Sequence, residues 1–95
     1  MVFERLVFRV HAIQRMYQRN ITELEVRYVI ATGEIVEDYP ADTPYPSRLL
    51  LGWQDNRPLH VVVADNFDEK ENVVITAYEP DPDIWEGDFK RRKTS

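Results

Sequence analysis

Apolar positions recur along this chain with two different periods, and the period changes near Gly33. Upstream of Gly33 the spacing is helical. From His11 onward, Ala12, Ile13, Met16 and Tyr17 fall on one side of a helix, at offsets of one, three and four. His11, Arg15 and Arg19 follow at i, i+4 and i+8 along the edge of that stripe, which puts them at the rim of the core. Asn20 suits the helix end, where a left-handed residue is tolerated. Ahead of this helix, Leu6-Val7-Phe8 reads as a short strand or as a lead-in. Thr22-Glu23-Leu24-Glu25 is the sharpest local signal: Thr22 caps a second helix and Glu25 completes a capping box. Ile21 is placed to staple onto Val26. The second helix runs through Leu24, Tyr28, Val29 and Ile30 and stops near Thr32-Gly33. So short a connection predicts an antiparallel helix pair.

Downstream the period shortens to that of strands. Ile35-Val36-Glu37-Asp38-Tyr39 reads as a strand ended by Pro40, and the proline-bearing stretch from Pro40 to Ser47 reads as a loop. Arg48 to Trp53 is a second strand, followed by a turn at Asp55-Asn56-Arg57-Pro58. His60 to Ala64, rich in β-branched residues, is a third, and Val73 to Tyr78, after a charged loop, is a fourth. Strands joined by such short connections pair antiparallel. The expected fold is α+β, an N-terminal antiparallel helix pair packed on one face of a four-stranded antiparallel sheet, with the other face free to bind. Residues 1–95 form one domain, and the tail over 84–95 docks by Trp85 and Phe89 or stays flexible.

Composition narrows the possible chemistry. The chain has no cysteine, which excludes disulfides and thiolate metal sites. No apolar run approaches the roughly 20 residues of a membrane helix, and the first residues do not read as a signal peptide, so a cytoplasmic protein is expected. The net charge of −5 opposes generic nucleic-acid binding, but the charge is unevenly spread. Residues 1–33 carry five Arg and three Glu, residues 34–89 carry 14 acids and three bases, and Lys90, Arg91, Arg92 and Lys93 follow. Two basic ends flank an acidic middle, which leaves room for a local basic groove.

The candidate chemistry lies on the first helix and the last two strands. His60, Val62 and Ala64 share one sheet face. Thr76 and Tyr78 share a face on the last strand, opposite Ile75 and Ala77. If these strands are neighbours, His60, Thr76 and Tyr78 project to the same side. Cleavage of RNA by its own 2′-hydroxyl needs a base, an acid and cations for the charge on phosphorus. His11 and His60 are candidate acid and base, Arg15 and Tyr78 candidate catalytic partners, and Arg19 and Thr76 candidate substrate-binding residues. Each also has a structural reading: hydrogen-bonded histidines, a solvated helix face, plain strand preference. No ligand spacing suggests a metal, no serine stands in a nucleophile elbow, and Gly33, Gly52 and Gly87 are too scattered for a phosphate loop. No cofactor is expected.

The ordered set of motifs resembles a bacterial family, domain-of-unknown-function family 4258. It comprises His11-Ala12-x-x-Arg15-Met16-x-x-Arg19-x-Ile21-Thr22-x-x-Glu25-Val26, then Tyr45-Pro46, Arg57-Pro58-Leu59-His60-Val61-Val62, Ile75-Thr76-Ala77-Tyr78-Glu79-Pro80-Asp81-Pro82, Trp85 and the basic end. Asn20 stands where that family commonly has Gly. The resemblance implies the barnase–EndoU–colicin–RelE group of ribonuclease folds. It also implies a toxin-like endoribonuclease acting on RNA beside a small antitoxin, often of zinc-ribbon type. The alternative is a non-enzymatic interaction module, or an RNA-binding domain on a degenerate ribonuclease fold.

Overall fold

The computed structural model describes residues 3–94. Seven elements follow in order: β1 (Arg5–Phe8), α1 (Val10–Gln18), α2 (Glu23–Thr32), β2 (Glu34–Tyr39), β3 (Ser47–Gln54), β4 (Arg57–Asn66) and β5 (Glu71–Tyr78). They build one mixed sheet in the order β1-β5-β4-β3-β2. The sheet therefore has five strands, not four. The lead-in around Leu6-Val7-Phe8 is the additional strand, and it pairs parallel with β5 while every other pair is antiparallel. A parallel neighbour needs a long crossover, and here the rest of the chain supplies it.

The capping box at the start of α2 is formed, with Thr22 Oγ1 accepting from Glu25 N and Glu25 Oε1 accepting from Thr22 N. Asn20 is left-handed, with φ 57°, and turns the chain out of α1. The two helices do not pack as an antiparallel hairpin. Each turns only part of its apolar stripe to the sheet, Ala12 and Met16 of α1 onto β5 and Val26 and Val29 of α2 onto β3 and β4, while Ile13, Tyr17, Leu24 and Tyr28 of the expected stripes are exposed. Ala12, Met16, Ile21, Val26 and Val29 meet Leu50, Leu59, Val61, Val63, Val74 and Ala77 in the main core.

A bulge in β5 sets which residues reach that core. Val62 pairs with Thr76, but Val63 pairs with Val74, so Ile75 is the inserted residue. The insertion reverses the alternation, and Val74 and Ala77 both face the helices. A regular strand would have sent Ile75 there instead. The opposite face is not open. The loop 40–46 lies beside Ala64 and Ile75, and the tail after Tyr78 lays the buried Trp85 ring on His60.

Candidate functional site

β4 and β5 are neighbours, and His60 is registered directly opposite Tyr78. His60 is fully buried on the tail side of the sheet. Its Nε2 lies 2.8 Å from the carbonyl oxygen of Phe89, and its Nδ1 lies 3.3 Å from the Tyr78 hydroxyl. A carbonyl can only accept, so Nε2 carries the proton and the tyrosine hydroxyl donates to Nδ1. Trp85 closes over the imidazole edge-to-face, with ring centroids 4.6 Å apart. Burial pushes the His60 pKa below its ordinary 6.5, against the pull of the Phe89 carbonyl and the Glu37 carboxylate. Burial likewise raises the Tyr78 pKa above 10.0, offset in part by Arg92 and Arg19.

Tyr78 leads from this buried pair to solvent. It lines a cleft of about 680 Å³ together with Arg19, Glu79, Asp81, Ile84, Trp85 and Arg92. Arg19 enters from the end of α1, and its Nη1 donates to the Ala77 carbonyl at 2.9 Å. That partner is neutral, so the contact fixes the guanidinium without cancelling its charge. Arg92 enters from the tail, stacked 4.9 Å over Trp85 and 3.3 Å from Glu37, whose carboxylate also accepts from the Tyr39 hydroxyl. Burial and the Glu37 carboxylate raise the Tyr39 pKa.

Arg57 anchors the Arg19 side. It donates to the carbonyls of Arg19 and Asn20 at 3.0 and 3.1 Å, and to Glu79 at 3.0 Å. It therefore ties the last turn of α1 to β4 and pairs one of the two acids on the cleft wall. The other acid, Asp81, accepts from the backbone N–H of Asp83.

The sequence-predicted residues divide into three groups. Arg19 and Tyr78 share the cleft, and His60 forms the layer beneath it. Thr76 stands half-buried on β5, two residues before Tyr78. His11 and Arg15 are exposed on the same flank of α1 as Arg19 and do not line the cleft. The second guanidinium there belongs to Arg92, which sequence reasoning placed only in a basic end. The signal available was Trp85 followed by the run Lys90–Lys93, but no period fixes where such a tail folds back. Among the described residues, no group of three or more His, Asp or Glu is gathered to hold a metal, and no helix is long and apolar enough to cross a membrane.

A family model described as a domain of unknown function (DUF4258) matches residues 8–79. It covers both helices, β2 to β5 and the residues from His11 to Tyr78, while Trp85, Phe89 and Arg92 lie beyond the matched span. No curated protein and no solved structure matches the chain. Since the match spans well over half of its length, the chain belongs to the DUF4258 family.

Proposed function

We propose that the cleft between α1, β5 and the tail binds the sugar–phosphate backbone of RNA and cleaves it without a metal. The observation that carries this reading is that Arg19, Tyr78 and Arg92 line one open cleft, with the Tyr78 hydroxyl held by His60 from below. Two guanidinium groups match a phosphodiester and the further charge that develops on phosphorus. Tyr78 and His60 form a two-member path for a proton. The 2′-hydroxyl gives its proton to the Tyr78 oxygen as Tyr78 passes its own to His60 Nδ1. The 2′-oxygen bonds to phosphorus, the bond from phosphorus to the 5′-oxygen breaks, and the same proton returns along the path to that leaving oxygen. The products are a 2′,3′-cyclic phosphate and a free 5′-hydroxyl. Burial makes the imidazolium short-lived, which favours the return of the proton. Such a toxin-type endoribonuclease acts in the cytoplasm and is held silent by a small antitoxin, of zinc-ribbon type.

The test uses the free protein with RNA in the presence of a chelator. Cleavage giving cyclic-phosphate ends is expected, abolished by a 2′-deoxy substitution at the scissile nucleotide. Tyr78→Phe and Arg19→Ala each lower the rate by about 10²-fold or more, the loss typical of a proton-transfer group or an oxyanion donor. RNA left intact by the wild type ends the catalytic reading. One observation favours a second reading, a binding module on a degenerate ribonuclease fold: both His60 nitrogens are engaged and Trp85 covers the ring. Retained RNA binding without product would establish it.

A further inference from the structure

We infer that the outer edge of β5 is a track for single-stranded RNA, running from the Arg19–Arg92 cleft to a second, base-sized pocket beside Arg9 and Tyr45. The inference rests on the reading of the cleft as an RNA site and extends it to the nucleotides that flank the scissile bond.

The edge itself is the first observation. β1 pairs with β5 only from Glu71 to Val74, so among the described residues no strand lies beside the outer edge from Ile75 to Tyr78. α1 runs along that segment. Its first end is fixed where Arg9 N donates to Val74 O at 3.2 Å, and its last end where Arg19 reaches Ala77 O. Ala12 and Met16 point to the sheet. At 100° per residue, Ile13 and Tyr17 then fall on the flank toward α2, where they border a groove with Ile21 and Glu23. His11, Arg15 and Arg19 fall on the other flank, over the open edge. α1 itself carries no acidic residue. Spaced four residues apart, these side chains repeat about every 6 Å. His11 and Arg15, left outside the cleft, thus form with Arg19 on its wall a line that leads into it.

The far end of the line is the second observation. A cavity of about 350 Å³ is lined by Arg9, Asp42, Thr43, Pro44, Tyr45 and Ile75, among others. It lies on the tail side of the sheet, as Tyr78 does, and Thr76 stands between the two sites on β5. Arg9 supplies a cation for a phosphate, and the half-buried Tyr45 supplies a ring face on which a base can stack. Asp42, whose Oδ2 accepts from Ser47 Oγ at 2.5 Å, supplies an acceptor, which fits a base bearing an exocyclic amine. From Arg9 to Arg19 the path is about 15 Å, at most about four nucleotides at the 3.4 Å spacing of a stacked strand. A dinucleotide held in the cleft cannot reach the second pocket, and an octamer can.

The experiment measures binding of fluorescent 2′-O-methyl RNA, which lacks the attacking hydroxyl, as a dinucleotide and as an octamer. The octamer is expected to bind about tenfold or more tighter, and its log affinity should fall with log salt by about 0.7 for each phosphate contacted. The exposed pair Arg9→Ala and Arg15→Ala, combined, should remove most of the length advantage and reduce that slope by about 1.4. Tyr45→Ala should weaken the octamer severalfold while leaving the slope in place, as loss of a stacking platform does. Equal binding of the two lengths, or a double variant that keeps both the advantage and the slope, overturns the track. A parallel arm with an unmodified octamer separates the two readings. Length-dependent binding without cleavage removes the catalytic proposal and leaves the track, whereas cleavage with length-independent binding does the reverse.

Discussion

The two faces of the sheet are built to different specifications from the same strands. Toward the helices, Leu50, Leu59, Val61, Val63, Val74 and Ala77 present only aliphatic surface, and they pack on Ala12, Met16, Ile21, Val26 and Val29. Toward the tail, the residues interleaved with these are Leu49, Leu51, His60, Val62, Thr76 and Tyr78, joined by Trp85 and by Glu37 and Arg92. Along β4 the alternation is residue by residue: Leu59 and Val61 face the helices, and His60 between them faces the tail. One face holds the molecule together through burial, which needs no particular geometry between polar groups. The other sets the buried Leu49 and Leu51 beside a network of rings, hydrogen bonds and ion pairs, whose value depends on every member having its partner. On the proposed reading, folding and chemistry are thereby separated by the thickness of one sheet. Substitutions on the first face should act on stability alone, and those at Tyr78 and Arg19 beside the second on the proposed site.

The strongest test of that division is Leu59→Ala. Leu59 is fully buried on the helix face, next to His60 in sequence but pointing away from it. Losing its side chain should cost about 2–5 kcal/mol, because the rigid strands on either side cannot close the cavity. In a domain of this size that lowers the melting temperature by roughly 10 °C or more. The RNA cleavage proposed for the wild type, measured well below the transition, should stay within a few-fold in the variant. A loss of activity as large as that of Tyr78→Phe would show that the two faces are not separable.

A smaller effect of the same kind is expected at Gly52, which pairs with Leu59 across β3 and β4. A Cβ built there would come within 2.6 Å of Val29 Cγ2. The missing side chain is what lets α2 approach the sheet this closely. Gly52→Ala should therefore overpack the contact and destabilise the fold by about 1–3 kcal/mol. Thermal unfolding would measure it, and Val29→Ala in the same chain should restore part of the loss by making room.

Helix positions, the capping box and three of the four core-strand neighbourhoods were legible because each rests on local chemistry: a period, a cap, a turn. β1 was legible only as one of two readings of Leu6-Val7-Phe8, and its parallel place in the sheet was not, since so short a segment carries little period and the pairing is with the far end of the chain. The bulge at Ile75 was equally invisible, because alternation reads through an inserted residue without registering it. In the candidate site, Arg19 and Tyr78, picked by residue type and spacing, line the cleft, and His60, picked from its strand, lies beneath it. Arg92 and Trp85 were not assigned to the cleft because an irregular tail gives no period from which to tell where it lands. His11 and Arg15 were grouped with Arg19 by helical spacing, which correctly predicts a shared flank but says nothing of how far along that flank a cleft extends.

The tail face offers a subtler measurement through pH. His60 is buried with its pKa lowered, so the folded state resists protonation that the unfolded chain accepts near 6.5. Above that value the imidazole is neutral in both states and imposes no penalty. As the pH falls from 6.5 toward the lowered folded value, the unfolded chain binds the extra proton and stability declines, by at most about 1.4 kcal/mol per pH unit for a single group. Melting temperatures between neutral pH and the onset of carboxylate titration should show this decline in the wild type, and His60→Gln should flatten it. Trp85→Ala distinguishes the cause. Removing the ring that covers the imidazole readmits water, so the His60 pKa, followed by the NMR shift of its Cε1 proton, should return toward 6.5 and the slope should diminish. A wild-type His60 that already titrates at 6.5 would mean that the tail does not close over β4 in solution, and the contrast between a sealed face and a working face would have to be redrawn.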